Sequence, residues 1–201
     1  MVGMSGRRGK LIAIEGIDQA GKKTQANLLA AQIKKTGRHV HVWSFPDYTT
    51  RLGNQLRRYL SGNLLLDVHA VHLLYAANKW EVARKLNHSL AHGDVVVVNR
   101  YSPSNVAYGL AHDLPGAWLD ALEKGLPKPD RVVVLDIPLT VSVGRKKQRR
   151  DVHESNLRYL RRVSEEYRRL AKRYGWKVID GTQTPLAVQM ELWKTIVSVL
   201  R

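Results

Sequence analysis

Five short runs of apolar, mostly β-branched residues punctuate the chain, at Leu11 to Ile14, His39 to Trp43, Val95 to Val98, Val132 to Leu135 and Trp176 to Ile179. Each has strand length, and three are nearly unbroken in apolar character, as strands covered on both faces of a parallel sheet must be. Between them the period changes to that of a helix. Thr24 to Lys35 puts Ala26, Leu29, Ala30 and Ile33 on one face, and Leu66 to His92 is expected to do the same with Ala70, Leu73, Leu74 and Ala77. From Leu157 to Tyr174, the residues Leu157, Leu160, Val163, Tyr167, Leu170 and Tyr174 recur every three or four positions. They predict an amphipathic helix with a charged outer face, supported by the i,i+4 pairs Glu154 to Arg158 and Glu165 to Arg169. Strand and helix in alternation predict an α/β fold with a doubly wound sheet. Turn-forming clusters at Ser61-Gly62-Asn63, His92-Gly93-Asp94, Leu126 to Asp130 and Tyr174-Gly175 fall where the periodic runs stop, and no linker divides the chain. One domain over 1–201 is expected.

Composition narrows this picture without choosing a chemistry. With 44% hydrophobic and 25% charged residues there is enough apolar material for a packed core, which excludes a disordered chain, a collagen-like repeat and a small stapled scaffold. Cysteine is absent, so disulfides, thiolate zinc sites and cysteine nucleophiles are excluded. No apolar run approaches the roughly 20 residues of a membrane span, and Met1 to Lys10 lacks the apolar stretch of a signal peptide. A cytoplasmic protein with no membrane partner is expected. Lys and Arg number 33 against 17 Asp and Glu, a formal net charge of +16. Such an excess suits nucleic acid, and equally an enzyme that holds phosphorylated small molecules. Its placement favours the second, because Arg145 to Arg173 holds 12 basic and 4 acidic residues, half of the whole excess. Nucleic acid is not required to explain it.

The sharpest motif is Gly16-Ile17-Asp18-Gln19-Ala20-Gly21-Lys22-Lys23-Thr24, which leaves the first strand and opens the first helix. In that setting glycines turn backbone N–H groups inward around phosphate oxygens and the helix presents its positive N-terminus. Lys22 adds a full charge at the transferring end of a triphosphate. A Ser or Thr normally follows the Gly-Lys pair and gives its hydroxyl to Mg²⁺, but here Lys23 stands in that place. Thr24 is the candidate metal ligand; the alternatives are water, or the ammonium of Lys23 supplying part of the metal's charge.

With this loop go Phe45-Pro46-Asp47, then Val71 to Glu81 with Tyr75 at its centre, then Asn99-Arg100-Tyr101 after a strand, then Gly125 to Asp130 before another. In that collinear order, over about residues 8 to 180, they resemble the thymidylate kinase family. A GTPase would need a base-reading Asn-Lys-x-Asp stretch, which is missing. The resemblance implies a P-loop NTPase three-layer α/β fold, with a five-stranded parallel sheet flanked by helices and a mobile lid at about 145–156, usually in a homodimer. It also implies ATP-dependent phosphorylation of dTMP to dTDP, with Mg²⁺ bridging the ATP phosphates. Residues 16–24 and Arg145 then face ATP, with Lys22 and Arg100 among the catalytic groups. Asp18 matches the carboxylate that accepts from the 3′-hydroxyl of dTMP, Tyr75 the ring that stacks on thymine, and Arg100 the group that grips the acceptor phosphate. Tyr108 matches the ring that crowds the 2′ position, and Lys79 replaces an Arg that donates to a thymine carbonyl. Phe45, Tyr48 and Asn78 fall at the same acceptor site.

Two further positions depart from the family pattern. Asn99 replaces a carboxylate that helps organise magnesium, and Tyr48 replaces an Arg on the acceptor phosphate, with Arg51 the candidate to compensate. With Lys23, these changes imply reduced magnesium dependence or reduced turnover. Gln19 occupies the place where some family members carry a catalytic Arg inside the loop, which moves that role to the lid, to Arg149 or Arg150, with Arg145 next. Asp136, at a strand end, reads as a cap or turn residue, and His72 and His153, without metal-ligand spacing, as structural or surface residues. Two competing expectations are a catalytically weak homologue that binds nucleotide or nucleic acid, and a kinase of another deoxynucleotide such as dUMP.

Overall fold

Every apolar run is a strand whose ends move by no more than one residue: β1 (Lys10–Glu15), β2 (Val40–Ser44), β3 (Val95–Asn99), β4 (Arg131–Asp136) and β5 (Lys177–Asp180). The structure, a computed structural model, describes residues 8–145, 153 and 156–200. Neighbouring strands are all parallel, in the order β2-β3-β1-β4-β5, so β1 is central, with its Ile14 level with Asn99 of β3 and Val133 of β4. Ile12 and Ile14 of β1 join Val95 and Val97 of β3 in one hydrophobic cluster, while Leu11 and Ala13 join Val96 and Val98 in the other. Both faces of the central strands are therefore dry, which is why they read as unbroken apolar runs. The edge strands β2 and β5 are mostly exposed, and their polar residues His41, Lys177 and Asp180 point to water.

Among the described residues the helices are α1 (Lys22–Lys34), α2 (Arg51–Leu60), α3 (Val68–Trp80), α4 (Ala83–Ala91), α5 (Ser102–Ala111), α6 (Gly116–Leu122), α7 (Leu139–Arg145), α8 (Leu157–Tyr174) and α9 (Pro185–Leu200). α1, α5, α8 and α9 contribute to the first cluster and α4 to the second, which makes the sheet the middle of three layers. α1 buries Ala26, Leu29, Ala30 and Ile33 as its periodicity predicts.

Three expectations are corrected. The single periodic stretch 66–92 is two helices, α3 and α4, with a turn at Glu81 and Val82. The inner face of α3 is not Ala70, Leu73, Leu74 and Ala77, since Leu73 is 49% exposed; buried instead are Val71, His72, Ala76, Asn78 and Lys79. A helix face that lines a polar site is chosen by hydrogen bonding, and hydropathy alone points to the wrong side. On α8 the interior positions Leu160, Val163, Tyr167 and Leu170 are buried, but Leu157 and Tyr174 at its ends are exposed, and Gly175 at φ 66° terminates it. Arg169 pairs with Glu166, at 2.6 Å, rather than with Glu165; Glu154 lies outside the described residues. Asp136 accepts a forked pair of bonds from Arg168, at 3.0 and 3.1 Å, and so anchors α8 to the end of β4.

Candidate active site

The site forms beyond the C-terminal ends of β1, β2 and β3, where a parallel sheet leaves its crevice. After Glu15 the chain turns through Gly16 at φ 129°, where an added Cβ would stand 2.3 Å from the Leu135 carbonyl oxygen, so only glycine lets the loop pass β4. Gly21, at φ 89°, swings the chain into α1, whose N-terminus offers backbone N–H groups to an anion. Lys22 is buried, and its Nζ donates across the loop to the Ile17 carbonyl at 2.6 Å. Lys23 and Thr24 are exposed in the first turn. Arg145, at the end of α7, donates to the Gln19 carbonyl at 3.1 Å and the Gly181 carbonyl at 3.0 Å, which sets it against the loop. Arg149 and Arg150 lie outside the described residues.

From β3 the chain delivers a second cation. Arg100 has φ 63°, a left-handed conformation uncommon for a residue with a side chain, and its N–H is held by the Ile14 carbonyl at 3.0 Å. Its guanidinium donates to Asp18 Oδ1 at 2.6 Å and to the Tyr108 hydroxyl at 3.0 Å, and that hydroxyl donates to Asp18 Oδ2 at 3.1 Å. Three residues expected at one acceptor site thus close a ring of hydrogen bonds. Burial alone would raise the Asp18 pKa, but the charges of Arg100 and Lys22, with hydrogen bonds from Arg100 and Tyr108, outweigh it and hold the carboxyl well below the usual carboxylate range. Burial likewise disfavours the charge on Arg100, and the facing Asp18 carboxylate more than restores it. Beside the ring lies Glu15, fully buried, accepting from the Tyr101 N–H at 2.8 Å, the Ser104 hydroxyl at 2.6 Å and the Tyr167 hydroxyl at 3.0 Å. Burial pushes its pKa up in spite of those bonds.

Phe45, Tyr48, Tyr75, Lys79, Arg100 and Tyr108 all line one cleft with Asp18. Asn78 does not. It is fully buried, bonded to the Asp47 N–H at 2.8 Å, the Asp47 carbonyl at 3.2 Å, the Thr50 hydroxyl at 2.8 Å and Glu81 at 3.1 Å. It clamps the turn that carries Phe45 and Tyr48. The cation beside Tyr48 is Arg57 rather than Arg51, with its guanidinium 5.4 Å from the ring centroid and a bond of 2.7 Å to the Tyr48 carbonyl. Lys79 forms a buried ion pair with Glu123 at 3.0 Å and donates to the Tyr75 carbonyl at 2.8 Å. His72 and His153, expected to be structural or surface residues, are both buried, and His153 lines the cleft, 3.4 Å from the Tyr75 hydroxyl and edge-on to the Tyr108 ring. Burial lowers the pKa of His72 to about 4 and that of His153 to about 3, so both are neutral at pH 7.

The donor set does not fit a magnesium ion held by the protein itself. Among the described residues no cluster of three or more His, Asp or Glu could hold a metal. The usual hydroxyl position is the exposed Lys23, and Asn99 donates to the Ser44 hydroxyl at 3.2 Å while its buried Oδ1 has no partner among the described residues. Thr24 leaves a single hydroxyl, far short of the oxygen shell that Mg²⁺ requires. Sequence reasoning missed Glu15, Ser104, Tyr167 and Glu123 as site residues. Glu15 left a signal, a carboxylate closing an otherwise apolar strand, whereas the other three left none.

A phosphate loop with its lysine, joined through Asp18 to an arginine in an aromatic-lined second cleft, defines a P-loop kinase whose acceptor is itself an anion. The family model for thymidylate kinase matches residues 14–192. Over 186 residues the chain is 38% identical to the thymidylate kinase of Danio rerio, spanning 90% of this chain and 86% of that protein. Over 192 residues it is 33% identical to the thymidylate kinase of Homo sapiens, spanning 94% and 90%. It superposes on the solved thymidylate kinase of Candida albicans with a TM-score of 0.85 at 29% identity, covering 95% of this chain and 92% of that one. The chain belongs to the thymidylate kinase family.

Proposed function

We propose that this protein transfers the γ-phosphoryl group of ATP to the 5′-phosphate of dTMP, giving ADP and dTDP. The observation that carries this is Asp18, whose backbone is part of the phosphate loop and whose carboxylate is bonded to Arg100 and Tyr108 in the acceptor cleft. The attacking phosphate oxygen is already anionic, so no general base is needed. A new P–O bond forms to it as the bond from the γ-phosphorus to the ADP oxygen breaks, and the protein supplies position and charge. Lys22 exchanges its bond to the Ile17 carbonyl for the donor phosphates, and Arg100 holds the acceptor phosphate. Asp18 accepts from the 3′-hydroxyl, Tyr108 fills the 2′ position, Tyr75 stacks on the base, and Lys79 donates to a base carbonyl. Arg145 lies against the loop, and Arg149 or Arg150 supplies the charge for the migrating group. Magnesium arrives with ATP rather than on protein ligands.

The chain works as one domain with a lid at about 145–156, in the cytoplasm, as a homodimer. Leu73 and Trp80, seven residues apart on one exposed face of α3, support that association. Incubation with ATP and a panel of nucleoside monophosphates tests the activity. Formation of dTDP from dTMP is expected. No phosphorylated product from any acceptor overturns the proposal, and product from dUMP alone reassigns the substrate.

A further inference from the structure

We infer that Glu123 is a positioning residue behind the base selectivity already proposed for the acceptor cleft: it holds Lys79 as a donor and Asn105 as an acceptor, the pair that suits a 4-keto pyrimidine and opposes a 4-amino one. The inference rests on the cleft being the acceptor site. A carboxylate only accepts, and Glu123 receives Lys79 Nζ at 3.0 Å and Asn105 Nδ2 at 2.7 Å on one oxygen and the Ser102 hydroxyl at 2.9 Å on the other. Three elements, α3, α5 and the end of α6, meet on this one side chain.

The consequence for Lys79 is positional. Its side chain is 3% exposed and that of Glu123 7%, so each charge depends on the other for compensation. Glu123 and the Tyr75 carbonyl, at 2.8 Å, take two of the three N–H donors. The third is left for the cleft that Lys79 lines.

For Asn105 the consequence is orientation. Its Nδ2 donates to Glu123 and, at 3.2 Å, to the His72 carbonyl, and neither partner can donate. The amide therefore keeps its nitrogen toward Glu123. Oδ1 then accepts from His72 Nδ1 at 2.7 Å, which places the single proton of that neutral imidazole on Nδ1. One lone pair of Oδ1 remains, and Asn105 also lines the cleft. A donor and an acceptor are the complement of thymine, which presents its 4-oxygen and its N3–H. Cytosine reverses both, setting donor on donor and acceptor on acceptor and leaving buried groups unpaired.

The test compares wild type with Glu123→Gln, whose uncharged amide can turn its nitrogen toward Asn105. Dissociation constants for dTMP and dCMP by calorimetry are read beside kcat/KM for each, so a protein without turnover still reports the polarity while its lack of turnover counts against the proposed activity. Wild type is expected to favour dTMP by more than about a hundredfold, and Glu123→Gln to lower that ratio about tenfold or more, with the KM for ATP unchanged. Glu123→Asp keeps an acceptor-only group and is expected to hold the ratio within about threefold of wild type. Equal losses for dTMP and dCMP in Glu123→Gln, or equal falls of the ratio in both variants, make Glu123 merely structural and overturn the inference. Should Glu123→Gln lose its cooperative melting transition, it is made in a Lys79→Met background, where no buried ammonium is left unpaired, and compared with Lys79→Met alone. A dTMP to dCMP ratio equal in those two proteins overturns the inference.

Discussion

Lys23 and Asn99 change the charge around the phosphate loop in the same sense, one adding a cation where a hydroxyl is usual and the other removing an anion. Neither makes up the lost metal contact through a neighbour: Lys23 is exposed, and the Asn99 amide is spent on Ser44. Restoring Lys23→Thr and Asn99→Asp together is expected to raise turnover at limiting magnesium about tenfold. A magnesium titration checks this, and identical curves for variant and wild type would dismiss both residues as causes. At this scale the sequence is informative where residues match a family motif: the resemblance to thymidylate kinases implies one acceptor site for Asp18, Arg100 and Tyr108, and the three do meet in space. Glu15 is different, because its hydroxyl partners Ser104 and Tyr167 stand 89 and 152 positions away. Contacts of that range depend on how α5 and α8 pack, which no local pattern encodes.

Helix α3 is where periodicity and structure part company. Its apolar residues Leu73 and Leu74 suggested one inner face, yet the buried side carries His72, Asn78 and Lys79, each satisfied by a partner on another element or loop. Buried polar groups are stable where they are bonded, and hydropathy cannot see the bonds. Asn78 shows the effect on the fold: one amide joins α3 to the Asp47 to Thr50 turn through three bonds. Asn78→Ala leaves the Asp47 N–H without its partner and is expected to cost about 1–3 kcal/mol of stability. Denaturant melts measure that loss, and initial rates should show a raised KM for the acceptor with that for ATP unchanged. A variant as stable as wild type would remove the clamp. The central strands β1, β3 and β4, by contrast, were legible almost to the residue, because burial on both faces leaves little room for polar positions.

Over the whole molecule, some of the 33 basic side chains are engaged in ion pairs. Arg162 pairs with Asp113 and Arg168 with Asp136, which fastens α8 to its surroundings, while Arg169 pairs with Glu166 within the helix. The pH response of the fold comes from the interior. Unfolded imidazoles take up protons near the ordinary 6.5, whereas folded His72 and His153 do so only at about 4 and about 3. Between those values the unfolded state holds more protons, so stability falls as pH drops through the window. Melting temperature is expected to decline steadily from pH 7 to pH 4, and His153→Phe, which keeps a ring but removes a proton site, to flatten that decline. Equal slopes in the two proteins would clear His153 of the effect.

Asp18 also binds a third element, since its carbonyl accepts from the Ser142 hydroxyl of α7 at 2.9 Å. One residue therefore answers to the loop, the lid-side helix and the acceptor cleft together. Any displacement of the loop when one nucleotide arrives alters what the other meets, and thermodynamic linkage makes that influence equal in both directions. Whatever factor the donor adds to the acceptor's affinity, the acceptor returns to the donor.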